Sequence, residues 1–200
     1  MTLALFDFDG TITTHETMPA FVRRSVGARR RFFAQFLLAP VVIGYKLGLV
    51  SGVRVRRIVV RIAYGGMPAE FVAAAGRAFA RDHLPTVLRE DAMRRIAWHR
   101  EQGHVIVVVS GGLDVYLAPW CDEHGLELIC SSLEARDGVL TGRYRGQQCV
   151  RAEKARRVRE RHDLREHATV YAYGDTPEDF DLLDLATTRY YRGQPVQAVR

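Results

Sequence analysis

Apolar and polar positions follow two rhythms along this chain, and the change of rhythm divides it. Residues 2–8 are a short apolar run ending in Asp7-Phe8-Asp9-Gly10, the pattern of a buried strand feeding a turn. From about His15 to Leu84 the period lengthens. Arginines and apolar residues recur at roughly helical spacing, with breaks near Gly27, Gly48, Gly65-Gly66 and Pro85 and little strand signal between them. Residues 86–102 read as a further helix stopped by Gly103. After that, strands and helices alternate. A β-branched strand is expected at 104–109, a helix at 114–124, a strand at 126–130 and a hairpin over 133–143 turning at Asp137-Gly138. A basic helix over 152–162, a strand at 169–173, a helix over 177–185 and a short strand at 188–191 complete the series.

Alternation of this kind implies an α/β fold with a parallel sheet covered on both faces. The helical block after the first strand is then an insertion over the carboxyl edge of the sheet, where open α/β folds bind ligands. The expected division is a core of residues 1–14 and 86–200 and a helical cap of residues 15–85.

Composition narrows this picture only a little. Two hundred residues suffice for one full core with a small accessory unit, and 48% apolar and 26% charged residues are ordinary for a globular protein. The formal net charge of +6, mostly arginine, favours anionic ligands: phosphate esters, nucleic acid or an acidic membrane surface. Cys121, Cys130 and Cys149 are odd in number and form no C-x-x-C, so neither a disulfide framework nor a zinc site is indicated. With no signal-peptide pattern at the start, they point to the reducing cytoplasm. Residues 36–45 are apolar but about half the length a membrane span needs, and they include Pro40, so no transmembrane segment is expected. They read as a buried helix or a membrane-surface segment; the wider run 32–50, flanked by arginines, reads preferentially as part of the cap core and otherwise as an interfacial segment.

Chemistry concentrates at strand ends. The first strand ends in Asp7-Phe8-Asp9-Gly10-Thr11, the second in Ser110-Gly111-Gly112, and a later one in Gly174-Asp175-Thr176-Pro177-Glu178-Asp179, with Lys154 on the helix before it. Taken singly these are a turn, a loop, a helix cap and a solvated lysine. In this order, three of them on β-type runs, they converge at one sheet edge. A carboxylate attacking a phosphate ester needs the phosphate charge neutralised, and a magnesium ion with a lysine does this. Asp7 and Asp175 are hard oxygen ligands for such an ion. Strand alternation puts Asp7 and Asp9 on one side and Phe8 on the other, so Asp9 is placed to protonate the leaving group.

These residues resemble the haloacid dehalogenase-like superfamily, specifically its phosphoserine-phosphatase-like branch with a helical cap. The matching segments are D-F-D-G-T at Asp7 to Thr11, S-G-G at Ser110 to Gly112, Lys154, and G-D-T-P-E-D at Gly174 to Asp179. The resemblance implies a Rossmann-like core with the cap inserted after the first strand. It implies Asp7 as nucleophile and Asp9 as acid and later base. Magnesium would be held by Asp7, Asp175 and the Asp9 backbone carbonyl. Thr11, Ser110, Gly111 and Lys154 would hold phosphate, and Asp179 would orient the metal shell. Glu16 matches the place of an acid that contacts a substrate amine, and Arg57, with Arg54 and Arg61 close behind, the place of a cap arginine that holds a carboxylate. Glu16 reads equally as an acid favoured by a helix N-terminus. One departure concerns the residues before the lysine, where related sequences often carry Gly-Glu and this chain has Arg151-Ala152-Glu153.

The expected activity is hydrolysis of a small amine-bearing phosphomonoester such as phosphoserine, histidinol phosphate or phosphoethanolamine. A phosphotransferase and a peripheral lipid-phosphate phosphatase share the core chemistry. A basic nucleic-acid-binding module is the remote alternative, resting on the cap arginines and on Phe32, Phe33 and Phe36, and no specific nucleic acid is expected. The insertion is expected to open and close over the site on hinges near Thr13-Thr14 and Leu84-Pro85. Oligomeric state is left open.

Overall fold

The computed structural model describes residues 1–198. β1 (Thr2–Phe6) is buried from its second residue onward, as a strand flanked on both sides must be. It pairs in parallel with β2 (Val105–Leu113) and β6 (Thr169–Gly174). β3 (Glu127–Ser131) extends the sheet beyond β2, and β7 (Thr188–Tyr191) and β8 (Gln194–Val196) extend it beyond β6. The order is β3-β2-β1-β6-β7-β8, with only β8 antiparallel. Because β1 has its neighbours on either side, the crevice of an open α/β sheet falls at its carboxyl end. The Rossmann-like α/β fold expected from the sequence is present.

Helices cover both faces. α5 (Glu90–Glu101) and α6 (Asp114–Glu123) border one hydrophobic cluster, and α7 (Ala152–Arg161) and α8 (Phe180–Leu183) border the other. Between β1 and α5 lie α1 (Met18–Ser25), α2 (Ala28–Lys46), α3 (Gly52–Tyr64) and α4 (Ala69–Asp82), separated where the glycine breaks were read. The hairpin of β4 (Leu133–Arg136) and β5 (Val139–Tyr144) turns at Asp137-Gly138, both at positive φ. All three cysteines are free and buried.

Several boundaries differ from the sequence expectation for local reasons. β2 runs through Ser110-Gly111-Gly112 to Leu113, with an irregular register beside β3. The helix read over 86–102 begins only at Glu90, because Leu88 is drawn into an antiparallel bridge with Thr13. The helix read over 177–185 starts as one tight turn, Pro177–Asp179, wound by a reciprocal Thr176–Asp179 capping box, before α8. β8 was not foreseen.

One expectation about the insertion needs correction. Residues 36–45 are not buried: α2 has no buried residue, since apolar side chains surround it on all sides and only one face can meet α3. The insertion also packs directly on the core. One cluster joins Phe21, Tyr64 and Phe79 of the insertion to Tyr116 of α6, with Phe21 and Phe79 ring centroids 4.9 and 5.4 Å from that of Tyr116. The segment between α3 and α4 also pairs with β5, where Gly66 N–H donates to Leu140 O and Leu140 N–H donates to Met67 O, both at 2.8 Å. Movement of residues 15–85 as one body would break this packing.

Candidate active site

The site is assembled by the topology. Asp7 leaves the end of the central strand, its N–H donating to Tyr173 O on β6 at 2.9 Å. Ser110 comes from β2 on one side, and Asp175 follows β6 on the other. The side chain of Phe8 turns the opposite way and packs edge-on against Trp120. Gly10, at φ 82°, lets the loop close on Asp175: a Cβ there would lie 2.3 Å from Asp175 Oδ2. Thr11 Oγ1 donates to Asp175 Oδ1 at 3.2 Å.

Lys154 reaches in from α7 and is almost wholly buried. Its ammonium donates to Asp7 Oδ1 and, at 2.7 Å, to Asp179 Oδ1. Burial alone would strip the lysine of its proton, but the two carboxylates hold its pKa above the usual range. Asp179 Oδ2 accepts from Asp175 N–H, Thr176 N–H and Thr176 Oγ1 at 3.0–3.2 Å. Burial opposes its ionisation, yet Lys154 and these donors hold its carboxyl below the normal value. Burial, together with the charge of Asp179, pushes Asp7 well up despite Lys154, and burial with Asp179 raises Asp175 too.

Three carboxylate oxygens, one each from Asp7, Asp175 and Asp179, lie within 4.8 Å of one another. The donor set is oxygen only and its negative charge exceeds the single lysine, which fits a hard divalent cation such as magnesium. Asp179 has both oxygens engaged by other donors, so it suits orientation. Asp7 and Asp175 each engage only Oδ1 in these hydrogen bonds and keep Oδ2 for a cation.

Asp9 belongs to a different network. Its Oδ1 accepts from Thr17 N–H at 2.8 Å and Thr17 Oγ1 at 2.6 Å, and Thr17 is fully buried at the start of α1. Burial raises the Asp9 pKa against these bonds, the direction a general acid needs. Ser110 is buried, with Oγ accepting from Gly112 N–H. Gly111 lines the same cavity.

Of the two substrate residues read from the insertion, Glu16 lines this cavity and Arg57 does not. Arg57 lies in another cleft, with Arg61 and Gly142 to Tyr144. The arginine at the site is Arg56, which forks onto Glu178 at 3.0 and 2.9 Å and donates to Gln148 Oε1 at 3.2 Å. A helical phase would have found it: Arg54, Arg57 and Arg61 form one polar stripe of α3, while Arg56 shares a face with Val60 and Ala63, both buried. Thr17 and Gln148 were also missed, and neither carries a motif of its own.

The cavity among Asp7, Asp9, Glu16, Arg56, Ser110 and Lys154 is about 40 Å³, room for a few waters and too little for a phosphate ester. A larger cleft of about 350 Å³ lies beyond Gly10 and Asp175, but it contains neither Asp7 nor Asp9.

Comparison with known proteins supplies a family. A profile described as haloacid dehalogenase-like hydrolase matches residues 4–184. Protein CicA of Caulobacter vibrioides is 32% identical over 202 aligned positions, covering 96% of this chain and 88% of that protein. The phosphoserine phosphatase of Archaeoglobus fulgidus is 28% identical over 188 positions, covering 92% of this chain and 50% of that enzyme. A crystal structure of a protein of unknown function from Bordetella pertussis superposes with a TM-score of 0.80 at 26% identity, covering 94% of this chain and 88% of that one.

Proposed function

The chain belongs to the haloacid dehalogenase-like hydrolases, and from that membership we propose that it is a magnesium-dependent phosphomonoester hydrolase in which Asp7 is transiently phosphorylated. The observation that carries this reading is the placement of Asp7 at the end of the central strand, held by a buried Lys154 with Asp9 two residues on.

The residues divide the work. Asp7 attacks phosphorus while the Lys154 ammonium and the Ser110 hydroxyl face the phosphoryl oxygens, with the Gly111 backbone beside them; Thr11 lines the neighbouring cleft and holds Asp175 instead of phosphate. A bound magnesium ion, on Asp7, Asp175 and the Asp9 carbonyl, would supply Lewis-acid neutralisation of the developing charge. Asp179 keeps Lys154 and the Asp175–Thr176 turn in place. Asp9, whose carboxyl burial pushes above its usual range, gives its proton to the departing oxygen and as carboxylate takes one from the water that hydrolyses the aspartyl phosphate. The cavity must widen to admit the ester, and shielding the first step from water would then fall to the inserted segment closing over bound substrate.

For the substrate we propose an amine-bearing phosphomonoester of the phosphoserine, histidinol phosphate or phosphoethanolamine kind. Glu16 faces the cavity as the ammonium partner, and Arg56, in place of Arg57, is the arginine that lines it, reaching an anionic end of the substrate only by exchanging its bonds to Glu178. The resemblance to a phosphoserine phosphatase supports the reaction class more than the substrate, since this chain spans half of that enzyme.

The test is turnover of a phosphomonoester panel by purified protein with magnesium. Asp7→Asn, nearly isosteric, is expected to lose about 10³-fold or more in kcat. Near-normal turnover by that variant overturns the mechanism. Glu16→Gln is expected to lower kcat/KM on amine-bearing esters about tenfold more than on amine-free ones. Equal losses on both leave the hydrolase and remove the amine assignment.

A further inference from the structure

α2 presents two apolar faces and uses one. Ala34, Leu38 and Val41 are half-buried on the side facing α3. On the other side Phe32, Phe36 and Ile43 fall within about 40° of one another around the helix axis. They are 56, 67 and 57% exposed. Leu47 and Leu49, at 68 and 75%, continue this surface through the turn after the helix. An apolar face of this extent on a folded surface marks an interaction site.

Charge says what covers it. No Asp or Glu occurs between Glu16 and Glu70, whereas ten Arg and Lys residues do, and the rest of the chain is net acidic. Arg30 and Arg31 are consumed internally, donating to carbonyls at the ends of α3 and α1. Arg23, Arg24, Arg29 and Lys46 are exposed and make no ion pair among the described residues. Arg29 and Lys46 flank the apolar face at its two ends.

We propose that this face of α2 docks on an anionic lipid bilayer, with Phe32, Phe36, Ile43, Leu47 and Leu49 in the headgroup–acyl boundary and the surrounding arginines on lipid phosphates. The helix lies on the bilayer: no helix among the described residues is long and apolar enough to cross one. A second copy of the chain would bring two acid-free cationic surfaces together. A nucleic acid would answer the charge but leave Ile43, Leu47 and Leu49 without a stacking partner. The inference stands on the surface alone and does not rest on the phosphatase reading.

Flotation of the whole protein with phosphatidylcholine vesicles, with and without phosphatidylglycerol, tests it. Binding is expected to be at least about tenfold stronger to the anionic vesicles and to weaken as salt is raised. Phe36→Glu and Ile43→Glu should each lower it about tenfold, with the thermal unfolding midpoint unchanged because both side chains already face water. No flotation, or equal flotation with both vesicles, overturns the proposal. So does a lipid-indifferent dimer that Phe36→Glu dissociates, or RNA binding that survives Phe36→Glu while vesicles are ignored.

Discussion

α2 and α4 lie in the same inserted segment, yet they relate to the rest of the molecule in opposite ways. α4 buries Val72, Gly76, Phe79 and Ala80, while α2, five residues longer, buries nothing. The cause is residue size and phase. α4 carries Ala73, Ala74, Ala75 and Gly76 in sequence, so its backbone can approach α6 closely. α2 distributes bulky apolar side chains around its circumference and has one neighbour to receive them. A helix can therefore be apolar because it is packed or because it awaits a surface, and only the depth of its contacts separates the two.

The sharpest test of this contrast is a pair of phenylalanines. Phe79, 2% exposed among Phe21, Tyr116 and His83, is expected to cost about 3–5 kcal/mol on truncation to alanine. Phe36→Ala is expected to change stability by no more than about 0.5 kcal/mol. Urea unfolding of both variants measures the difference, and a large loss for Phe36→Ala would mean that the α2 face is covered in solution.

Each helix also holds a glycine that makes a second, smaller comparison. At Gly76 an added Cβ would lie 2.0 Å from Val115 O, a backbone atom on the first turn of α6 that cannot step aside alone. Gly76→Ala is expected to cost about 1–3 kcal/mol through overpacking. At Gly44 the nearest atom is Val50 Cγ2 at 2.9 Å, the tip of a side chain in a turn. There the methyl can yield, and the better helix propensity of alanine, up to about 1 kcal/mol, offsets the strain. Gly44→Ala should leave the unfolding midpoint nearly unchanged. Equal destabilisation at both sites would show that α2 is held as firmly as α4.

The convergence of the candidate site at one sheet edge was legible because its residues are tied to strand ends. Asp7, Ser110 and Asp175 follow apolar, β-rich runs, and period-two alternation alone put Asp7 and Asp9 on one side. The helices of the insertion were legible too, since Gly27, Gly48 and Gly65-Gly66 interrupt them. Which of those helices would pack was not, because Phe32 to Tyr45 reads as a core helix until its neighbours are known. Arg56 was missed for a related reason: in a run of arginines, composition hides the one on the apolar face. Arg151 shows the converse. The departure from Gly-Glu noted in the sequence sits at φ 53°, so this chain places an arginine where the backbone favours glycine, and Lys154 still reaches Asp7.

The smallest expected effect concerns what closes the site. α4 and the β5 pairing fix one end of the insertion, which leaves α2 and the first turns of α3 as the part able to shift. Arg56 is its tether, forked onto Glu178 and bonded to Gln148, which in turn donates to Val53 O at 2.9 Å. Both partners of the ion pair are partly solvent-exposed, so the pair contributes about 1 kcal/mol. Arg56→Gln should therefore raise amide exchange about fivefold in α2 and the start of α3, with α4 unchanged. A phosphate mimic added with magnesium to the wild-type protein should slow exchange in the same segment. If Arg56→Gln speeds α4 equally, the insertion moves as one body after all, and the continuous cluster around Phe21, Phe79 and Tyr116 must open with it.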